Sequence, residues 1–218
     1  MSRPRIQTAA LLGASVGGLE ATASFVVFPE IRDTIAGGSG AAASWTLTVT
    51  GIVGAAVLLQ AGRLADRFGH ERLFRTGVTG FCAASLLAAV CPVLWSLVLA
   101  RAVQALCLSV MSPSSLALIL RDVPSQQHSR TIGQWGAITA VAGVVGAPLA
   151  GVLVDVESWR ASFLMFAALS AVVAALAWSA PQTDRQISVG PPIDYLGAAT
   201  VVLGLGLLVL VLVEGNRW

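Results

Sequence analysis

The feature that most constrains this chain is its succession of long apolar stretches. Seven stretches follow one another through short connections. Each is close to the roughly 20 residues that a helix needs to cross the hydrocarbon core of a bilayer. They are Thr8–Phe28, Ala42–Ala61, Phe74–Val90, Trp95–Leu120, Ile132–Val154, Ala161–Ala180 and Tyr195–Val213. Because lipid offers no water to satisfy backbone polar groups, every stretch is expected to be a helix, and the prediction is an all-α membrane protein.

The composition excludes several other classes. Charged residues make up 11% of the 218 residues and hydrophobic residues 56%, whereas a soluble domain carries about 25% charged residues to solvate its surface. A net charge of +2 without a long basic run argues against nucleic-acid binding. Cys82, Cys91 and Cys107 lie in apolar stretches without metal-ligand spacing, so we expect small buried side chains, no metal site and no cofactor.

The distribution of arginines predicts the orientation in the membrane. The chain has no lysine, and its 13 basic residues are all arginine. With a cytoplasmic N-terminus, that side receives Arg3, Arg5, Arg63, Arg67, Arg72, Arg75, Arg121, Arg130 and Arg185, and the opposite side receives Arg32, Arg160 and Arg217. Because positively charged loops stay in the cytoplasm, we expect a multi-pass protein of the cell (plasma or inner) membrane with its N-terminus inside.

Two serine motifs do not indicate an enzyme. Residues 13–17 spell G-x-S-x-G, but they lie inside a predicted span rather than at a strand–turn–helix corner. Residues 37–40 resemble the serine motif of intramembrane rhomboid proteases. That chemistry needs a histidine within the membrane, and His70 and His128 fall in predicted loops. The sequence therefore predicts a protein that is not an enzyme.

The connection between the second and third predicted helices carries the most specific motif. From Gly62 to Arg72 the chain reads GRLADRFGHER. This segment resembles the G-x-L-A-D-R-x-G-R-(K/R) loop of the major facilitator superfamily, with His70 and Glu71 where that family usually has basic residues. The matching positions are Gly62, Asp66, Arg67 and Gly69. We expect the glycines to form a tight cytoplasmic turn, the aspartate to accept hydrogen bonds and the arginines to anchor the loop at the lipid headgroups.

The first predicted helix resembles one particular branch of this superfamily. The sequence LEAT at 19–22, followed by Pro29, is similar to the l-D-x-T-(x)6-P pattern of the fourteen-helix drug:proton antiporters. Glu20 replaces the usual Asp, and Phe25 replaces the usual Asn. Trp45 matches the tryptophan that opens the second helix of that family. The resemblance implies that Glu20 takes part in proton coupling and that Thr22 faces the substrate cavity.

Later helices continue the resemblance in order. Arg101 and Gln104 match the R-x-x-Q-G motif of the fourth helix, with Ala105 in place of the glycine, and segments 159–163 and 194–197 resemble the starts of the sixth and seventh helices. The motif implies a proton-coupling role for the arginine and a cavity position for the glutamine.

The fifth predicted helix contains a degraded G-P-x-x-G-G signature. Its residues are Gly143, Gly146, Pro148 and Gly151. Gly143, Ala147 and Gly151 are spaced by four, so they share a face that a neighbouring helix can approach closely. The proline is expected to kink the helix. A hinge and a simple packing seam both remain open.

The resemblance covers almost the whole chain and implies a domain organisation. Residues 1–180 would form the N-terminal six-helix bundle of the major facilitator fold, residues 181–194 a cytoplasmic linker, and residues 195–218 a seventh spanning helix and tail. Members of the family have a second six-helix bundle, and the motifs of these 218 residues match only the first bundle and one further helix. We therefore expect the N-terminal half of a transporter, whose partner is a C-terminal half or a second copy.

Two intramembrane charges suggest the mechanism. From the predicted spans, Glu20 lies roughly 13 Å and Arg101 roughly 9 Å below the outer end of their helices at 1.5 Å per residue. Charges within a membrane face a cavity or a partner, so a direct or water-mediated pair can exchange protons as access changes. The alternative is a static ion pair that only fixes helix packing.

The leading hypothesis is a proton-coupled efflux transporter for amphipathic, drug-like and cationic molecules, which works by alternating access. One alternative is a metabolite or sugar carrier of the same superfamily. Another is a truncated membrane protein that does not transport.

Overall fold

The computed structural model describes residues 4–181 and five single positions, 197, 200, 204, 207 and 211. Its helices are α1 (Pro4–Thr34), α2 (Gly40–Phe68), α3 (His70–Val90), α4 (Leu94–Leu120), α5 (His128–Val156) and α6 (Trp159–Ser179), with a 3-10 turn at Ser125–Gln127. All six are long and apolar enough to cross a membrane, and this part of the chain contains no strand. The predicted all-α membrane fold is confirmed. The predicted linker after Pro181, the seventh helix apart from the five positions, and Arg185 and Arg217 lie outside the described residues.

The first helix is longer than its apolar stretch predicts. It continues past Phe28 through Pro29 to Thr34, and its 31 residues correspond to about 47 Å. Hydropathy marks only the segment in hydrocarbon, while polar residues in the headgroup layer can continue the same helix. The chain then turns at Gly37 and Gly38, whose φ angles are +60° and +79°. Both angles lie in the left-handed region that glycine adopts without steric cost.

Helix α1 is the centre of the bundle. It packs most extensively against α5 and also contacts α6, α4 and α2, while α3 packs between α4 and α6. The largest buried side chains include Phe74, Phe81, Trp159, Phe163 and Phe166. The apolar windows of α3 and α4 are each 56% buried, but those of α2 and α5 only 17%. Helices α2 and α5 therefore form the exposed flanks of the bundle.

Backbone atoms of α1 and α5 meet without intervening side chains. A Cβ atom at Gly18 would lie 2.2 Å from the Thr139 carbonyl oxygen, and one at Gly146 would lie 2.6 Å from the Leu19 carbonyl oxygen. The buried positions of α5 are Ala142, Gly146 and Ala150. The contact face is thus centred one residue before the predicted Gly143–Ala147–Gly151 face. Two adjacent rows of small residues run along this helix, and sequence spacing does not distinguish them.

The segment predicted as a loop between the second and third helices is mostly helical. Gly62, Asp66 and Arg67 lie on the last turns of α2, and the turn is made at Gly69, with a φ angle of +87°. The expectation that both glycines shape the turn is therefore wrong for Gly62, which lies inside the helix with no atom within 4 Å of a Cβ built there. Of the two motif glycines, only Gly69 has the positive φ angle that disfavours a side chain.

One arginine assigned to the cytoplasmic loops is buried instead. Arg75 lies on α3, and its guanidinium pairs with the Glu71 carboxylate at 2.5 Å. It also donates to the Ala180 carbonyl oxygen at 2.8 Å and lies over the Trp178 ring. Ala180 is the C-cap of α6, so the cation faces the negative end of that helix dipole. The count of loop arginines includes Arg75, but this residue lies inside α3, which begins at His70.

The opposite ends of α3 and α6 are joined in a similar way. Arg160, at the start of α6, donates to the carbonyl oxygen of Cys91, the C-cap of α3, at 2.8 Å. The first peptide N–H of α6, at Trp159, donates to the Glu30 carboxylate of α1, and the indole N–H donates to Thr34. Helix α6 is thus fixed at both ends by charged groups of neighbouring helices.

Candidate functional site

The two intramembrane charges predicted from the sequence form an ion pair between α1 and α4. Nη1 of Arg101 lies 2.5 Å from Oε1 of Glu20, and the side chains are 3% and 9% exposed. The depth estimate from the two helices left a direct pair open, and the structure joins them directly. A pair is expected here, because an isolated charge in the apolar interior is costly.

Arg101 also has several uncharged partners. Its Nη2 donates to the Ser24 hydroxyl at 2.8 Å, its Nη1 to Oε1 of Gln104 at 3.1 Å, and its Nε to the Thr46 carbonyl oxygen at 3.4 Å. These partners come from α1, α4 and α2. The guanidinium also lies 5.7 Å from the centroid of the Phe163 ring of α6. Four helices therefore contact one cation.

The hydrogen bonds continue away from the ion pair. The Ser24 hydroxyl lies 2.9 Å from Oε1 of Glu20 and 2.8 Å from its carbonyl oxygen. On the other side, Nε2 of Gln104 donates to the Ser85 hydroxyl at 2.8 Å, and that hydroxyl donates to the Phe81 carbonyl oxygen at 2.7 Å. Ser85 is completely buried on α3. The network thus extends from α1 through α4 to a helix that lies behind the site.

A cavity of about 370 Å³ opens beside the ion pair. Its lining comes from α1, α2 and α4 and consists of Glu20, Ala21, Ser24, Phe25, Leu47, Thr50, Gly51, Gly54, Arg101, Gln104, Ala105, Leu108 and Ser109. The surface is mostly apolar with a few hydroxyl groups, a composition typical of sites for amphipathic small molecules.

The cavity presents the carboxylate more than the guanidinium. Arg101 is 2% exposed, and its donors are directed at the partners described above. Both hydrogen bonds to the Glu20 side chain use Oε1, and Oε2 has no hydrogen-bond partner within residues 4–181. One carboxylate oxygen is therefore available to a proton or to a ligand that donates a hydrogen bond.

The structure brings together three of the four residues expected at the coupling site and cavity. Glu20, Arg101 and Gln104 share one hydrogen-bonded cluster, but Thr22 does not line the cavity. Its hydroxyl donates to the Gly143 carbonyl oxygen at 2.7 Å, on the side of α1 that packs against α5. Residues two positions apart on a helix point about 200° apart, so Glu20 and Thr22 cannot share a face.

Sequence reasoning missed three members of the cluster. Ser24 follows Glu20 by four residues, so helical periodicity could have identified it as a neighbour on the same face. Thr46 contributes a backbone carbonyl, which no side-chain motif reveals. Ser85 is one of many small residues on α3, and no pattern in the sequence distinguishes it.

The other predicted motif residues lie elsewhere. Asp66 and Arg67 are exposed at the end of α2, beside the Gly69 turn. On α5, Gly143 and Gly146 contact α1, Gly151 lies near Val26, and Pro148 is exposed. No residue of α5 lines the 370 Å³ cavity, so the glycine motif positions α1 rather than forming the cavity wall.

Comparison with known proteins agrees with the resemblance to the major facilitator superfamily. The model of the family described as Major Facilitator Superfamily matches residues 10–205. The chain is 32% identical over 213 residues to the "Probable actinorhodin transporter" of Streptomyces coelicolor, covering 95% of this chain and 36% of the relative. It is 30% identical over 199 residues to the "Multidrug export protein EmrB" of Haemophilus influenzae, covering 91% of this chain and 39% of the relative.

A solved structure shares the fold. The crystal structure of a mutant of peptide transporter POT in complex with sulfate superimposes with a TM-score of 0.62 at 15% identity. The match covers 97% of this chain and 44% of the other. The chain thus spans about two fifths of the length of the curated relatives it matches, at 36% and 39% for the two named above.

Proposed function

The chain belongs to the Major Facilitator Superfamily, and from that premise we propose that it forms one bundle of a proton-coupled exporter of amphipathic, cationic molecules. The family is one of transporters, and relatives at about 30% identity include an exporter of multiple drugs. The observation that carries the proposal is the Glu20 carboxylate, which is nearly buried beside a largely apolar cavity and has one oxygen without a partner in the described part of the chain.

The chemistry of this carboxylate supports coupled exchange. In its ionised form Glu20 pairs with Arg101 and can accept a hydrogen bond from a cationic ligand at Oε2. In its protonated form it no longer attracts a cation. A proton and a cationic substrate therefore compete for the same group, which is what an antiport cycle requires. The apolar remainder of the lining, such as Phe25 and Leu108, would hold the apolar part of the substrate.

Alternating access requires a second wall for the cavity. Helices α2 and α5 are the least buried of the six, and α5 exposes Val141, Val144, Val152 and Val156. We propose that these flanks contact a complementary C-terminal half or, failing that, a second copy, so that two bundles rock about the cavity. The division into a bundle at 1–180, a linker at 181–194 and a spanning segment at 195–218 is part of this proposal.

The chain is a multi-pass, membrane-embedded protein with six apolar helices in its described part. We propose the cell membrane as its location, with the N-terminus in the cytoplasm. This orientation puts Arg63, Arg67 and Arg72 around the α2–α3 turn on the cytoplasmic side, where positively charged connections remain during insertion.

The test is substrate-induced proton release in vesicles that contain residues 1–218 and a complementary C-terminal half. The wild-type chain should release protons when a cationic dye is added, and Glu20→Gln should abolish the release without changing membrane insertion. Asp33→Asn is the matched control, because this acid lies on the same helix but is exposed. Proton release by Glu20→Gln at the wild-type level would contradict the proposal, as would transport of a neutral sugar in place of the dye.

A second experiment tests the need for another bundle. Residues 1–218 expressed without a partner in an efflux-deficient bacterium should export no dye. Strong export that depends on the proton gradient would contradict this expectation, unless crosslinking shows that two copies associate.

A further inference from the structure

We infer that Arg101 is a fixed charge held by uncharged acceptors, that it keeps its position when Glu20 gains a proton, and that the buried Ser85 on α3 is a positioning residue for Arg101. The role in transport rests on the proposed function. The fixed position of the guanidinium rests on the geometry of the site alone.

Arg101 has hydrogen-bond partners other than Glu20. Without the Glu20 carboxylate, the guanidinium keeps the Ser24 hydroxyl, Oε1 of Gln104 and the Thr46 carbonyl oxygen. None of these groups changes its charge with pH, and they come from three different helices. Uncharged hydrogen-bond acceptors offset part of the cost of a buried cation, because they keep its donors satisfied. Protonation of Glu20 therefore removes one of four acceptors and leaves the guanidinium in place.

Ser85 determines the orientation of the Gln104 amide. Its Nε2 donates to Ser85 at 2.8 Å, so its oxygen faces Arg101. A reversed amide would direct N–H donors at the guanidinium, where they have no acceptor. The Ser85 hydroxyl donates to the Phe81 carbonyl oxygen and so presents its lone pairs to Gln104. Because Ser85 is 0% exposed, its hydroxyl has no contact with bulk solvent. Ser85 thus fixes an acceptor of Arg101 without touching the cavity.

The Ser24 hydroxyl can adapt to both charge states of Glu20. It has one proton and two acceptors within reach, Oε1 and the carbonyl oxygen of Glu20, at 2.9 and 2.8 Å. An ionised carboxylate is the stronger acceptor, so the hydroxyl points to Oε1 in that state and to the carbonyl oxygen when Glu20 is protonated. In both states its lone pairs accept from Arg101. Ser24 can therefore follow the charge of Glu20 without releasing the arginine.

Within the described helices, no other charged residue contacts this pair. Arg101 of α4 is the charged group in contact with Glu20, and α2 and α6 contribute the Thr46 carbonyl and the Phe163 ring. Every other charged residue in the described helices, including those of α5, lies within six positions of a helix end. In the described part of the chain, the site therefore consists of two charged side chains surrounded by uncharged groups.

The decisive experiment observes the guanidinium directly. Residues 1–218 in lipid nanodiscs with ¹⁵N-labelled arginine would be studied by NMR, with the Arg101 N–H signals identified by their loss in Arg101→Lys. In Glu20→Gln, which removes the charged acceptor and leaves the other three, the rate of hydrogen exchange of these signals should rise by no more than the roughly three- to tenfold expected for one lost hydrogen bond. In Ser85→Ala the rate should rise by roughly three- to tenfold, the loss expected for one hydrogen bond. Gln104→Met, which removes the same acceptor directly, should give a similar rise.

Ser170→Ala is the matched control. Ser170 is also completely buried, but its hydroxyl bonds only to carbonyl oxygens of its own helix, at Phe166 and Ala167. It should leave the Arg101 signals unchanged. A rise in the exchange rate well beyond tenfold in Glu20→Gln would show that the guanidinium has lost its other acceptors and would overturn the fixed charge. Equal effects of Ser85→Ala and Ser170→Ala would overturn the positioning role.

A second measurement separates this inference from the proposed function. With a C-terminal half supplied, Ser85→Ala should shift the pH at which substrate-driven proton release is half-maximal, Ser85→Thr should restore it, and Ser170→Ala should not shift it. If the wild-type chain shows no proton release, the proposed function fails while the NMR result still decides the fixed charge. An unchanged pH profile in Ser85→Ala, with wild-type release present, would remove Ser85 from the coupling.

Discussion

Two buried ion pairs in this bundle have similar local geometry but different surroundings. Glu20–Arg101 and Glu71–Arg75 both join a carboxylate to a guanidinium at 2.5 Å, and all four side chains are less than a tenth exposed. The first pair connects α1 to α4 and borders a cavity. The second lies within α3, four residues apart, and its arginine continues to the C-terminal carbonyl of α6.

The difference shows that burial of a charge pair does not by itself indicate function. Arg75 closes the end of a neighbouring helix, and neither it nor its carboxylate partner lines the 370 Å³ cavity. Arg101 has three uncharged acceptors in addition to Glu20, so its carboxylate can change charge while the cation keeps its partners. Access to a cavity and a spare set of acceptors distinguish a pair that can take part in proton exchange from one that holds helices together.

The largest expected effect comes from breaking the second pair. Arg75→Ala should destabilise the protein by about 3–5 kcal/mol, because it breaks the buried ion pair with Glu71 and removes the cap of α6. Thermal and denaturant unfolding in nanodiscs would measure this. Arg32→Ala is the control, since that arginine belongs to an exposed pair, and it should cause no measurable change. A loss below about 1 kcal/mol for Arg75→Ala would contradict a structural role.

A smaller effect is expected from the contact that holds α1 in place. Gly146→Ala should cost about 1–3 kcal/mol, because its Cβ would lie 2.6 Å from a backbone oxygen of α1. The displacement of α1 should disturb Glu20 more than Glu71. Gly62→Ala is the matched control on α2, where a Cβ meets nothing within 4 Å. Equal stability of the two variants would show that the α1–α5 contact is not as close as described.

The smallest effect on stability is expected at the carboxylate beside the cavity. Glu20→Gln should lower stability by about 1 kcal/mol, because Arg101 keeps its uncharged acceptors. Glu71→Gln should cost more, about 3 kcal/mol, because it leaves a buried cation with fewer acceptors. The free energies of unfolding of the two variants should be measured in one assay, so that the two losses can be compared directly. If Glu20→Gln is the more destabilising variant, the roles assigned to the two pairs are reversed.

The sequence predicted the fold well because the physics of the bilayer leaves few choices. Length and apolarity located all six described spans, and the motif residues Glu20 and Arg101 were correctly singled out as a possible pair. Helix ends were predicted less well. Hydropathy stops at the hydrocarbon boundary, whereas α1 continues through Pro29 and α2 through Asp66.

The rest of the site could not be read from the sequence because it depends on packing between helices. A backbone carbonyl at Thr46 and a hydroxyl at Ser85 become partners only when α2 and α3 are placed beside α4. Glu71 looked like a mere departure from a family pattern, and its pairing with Arg75 follows from the i, i+4 spacing once α3 is known to begin at His70. Thr22 was assigned to the cavity by motif, although helical geometry already directs it away from Glu20.

The most direct test of the account asks which of the two buried carboxylates gains a proton. Infrared difference spectra of residues 1–218 in lipid bilayers, recorded as the pH is lowered, should show a protonated-carboxyl band of a buried group. The band should be present in the wild-type chain and in Glu71→Gln and absent in Glu20→Gln. A band that persists in Glu20→Gln and disappears in Glu71→Gln would contradict the assignment of proton exchange to the pair beside the cavity.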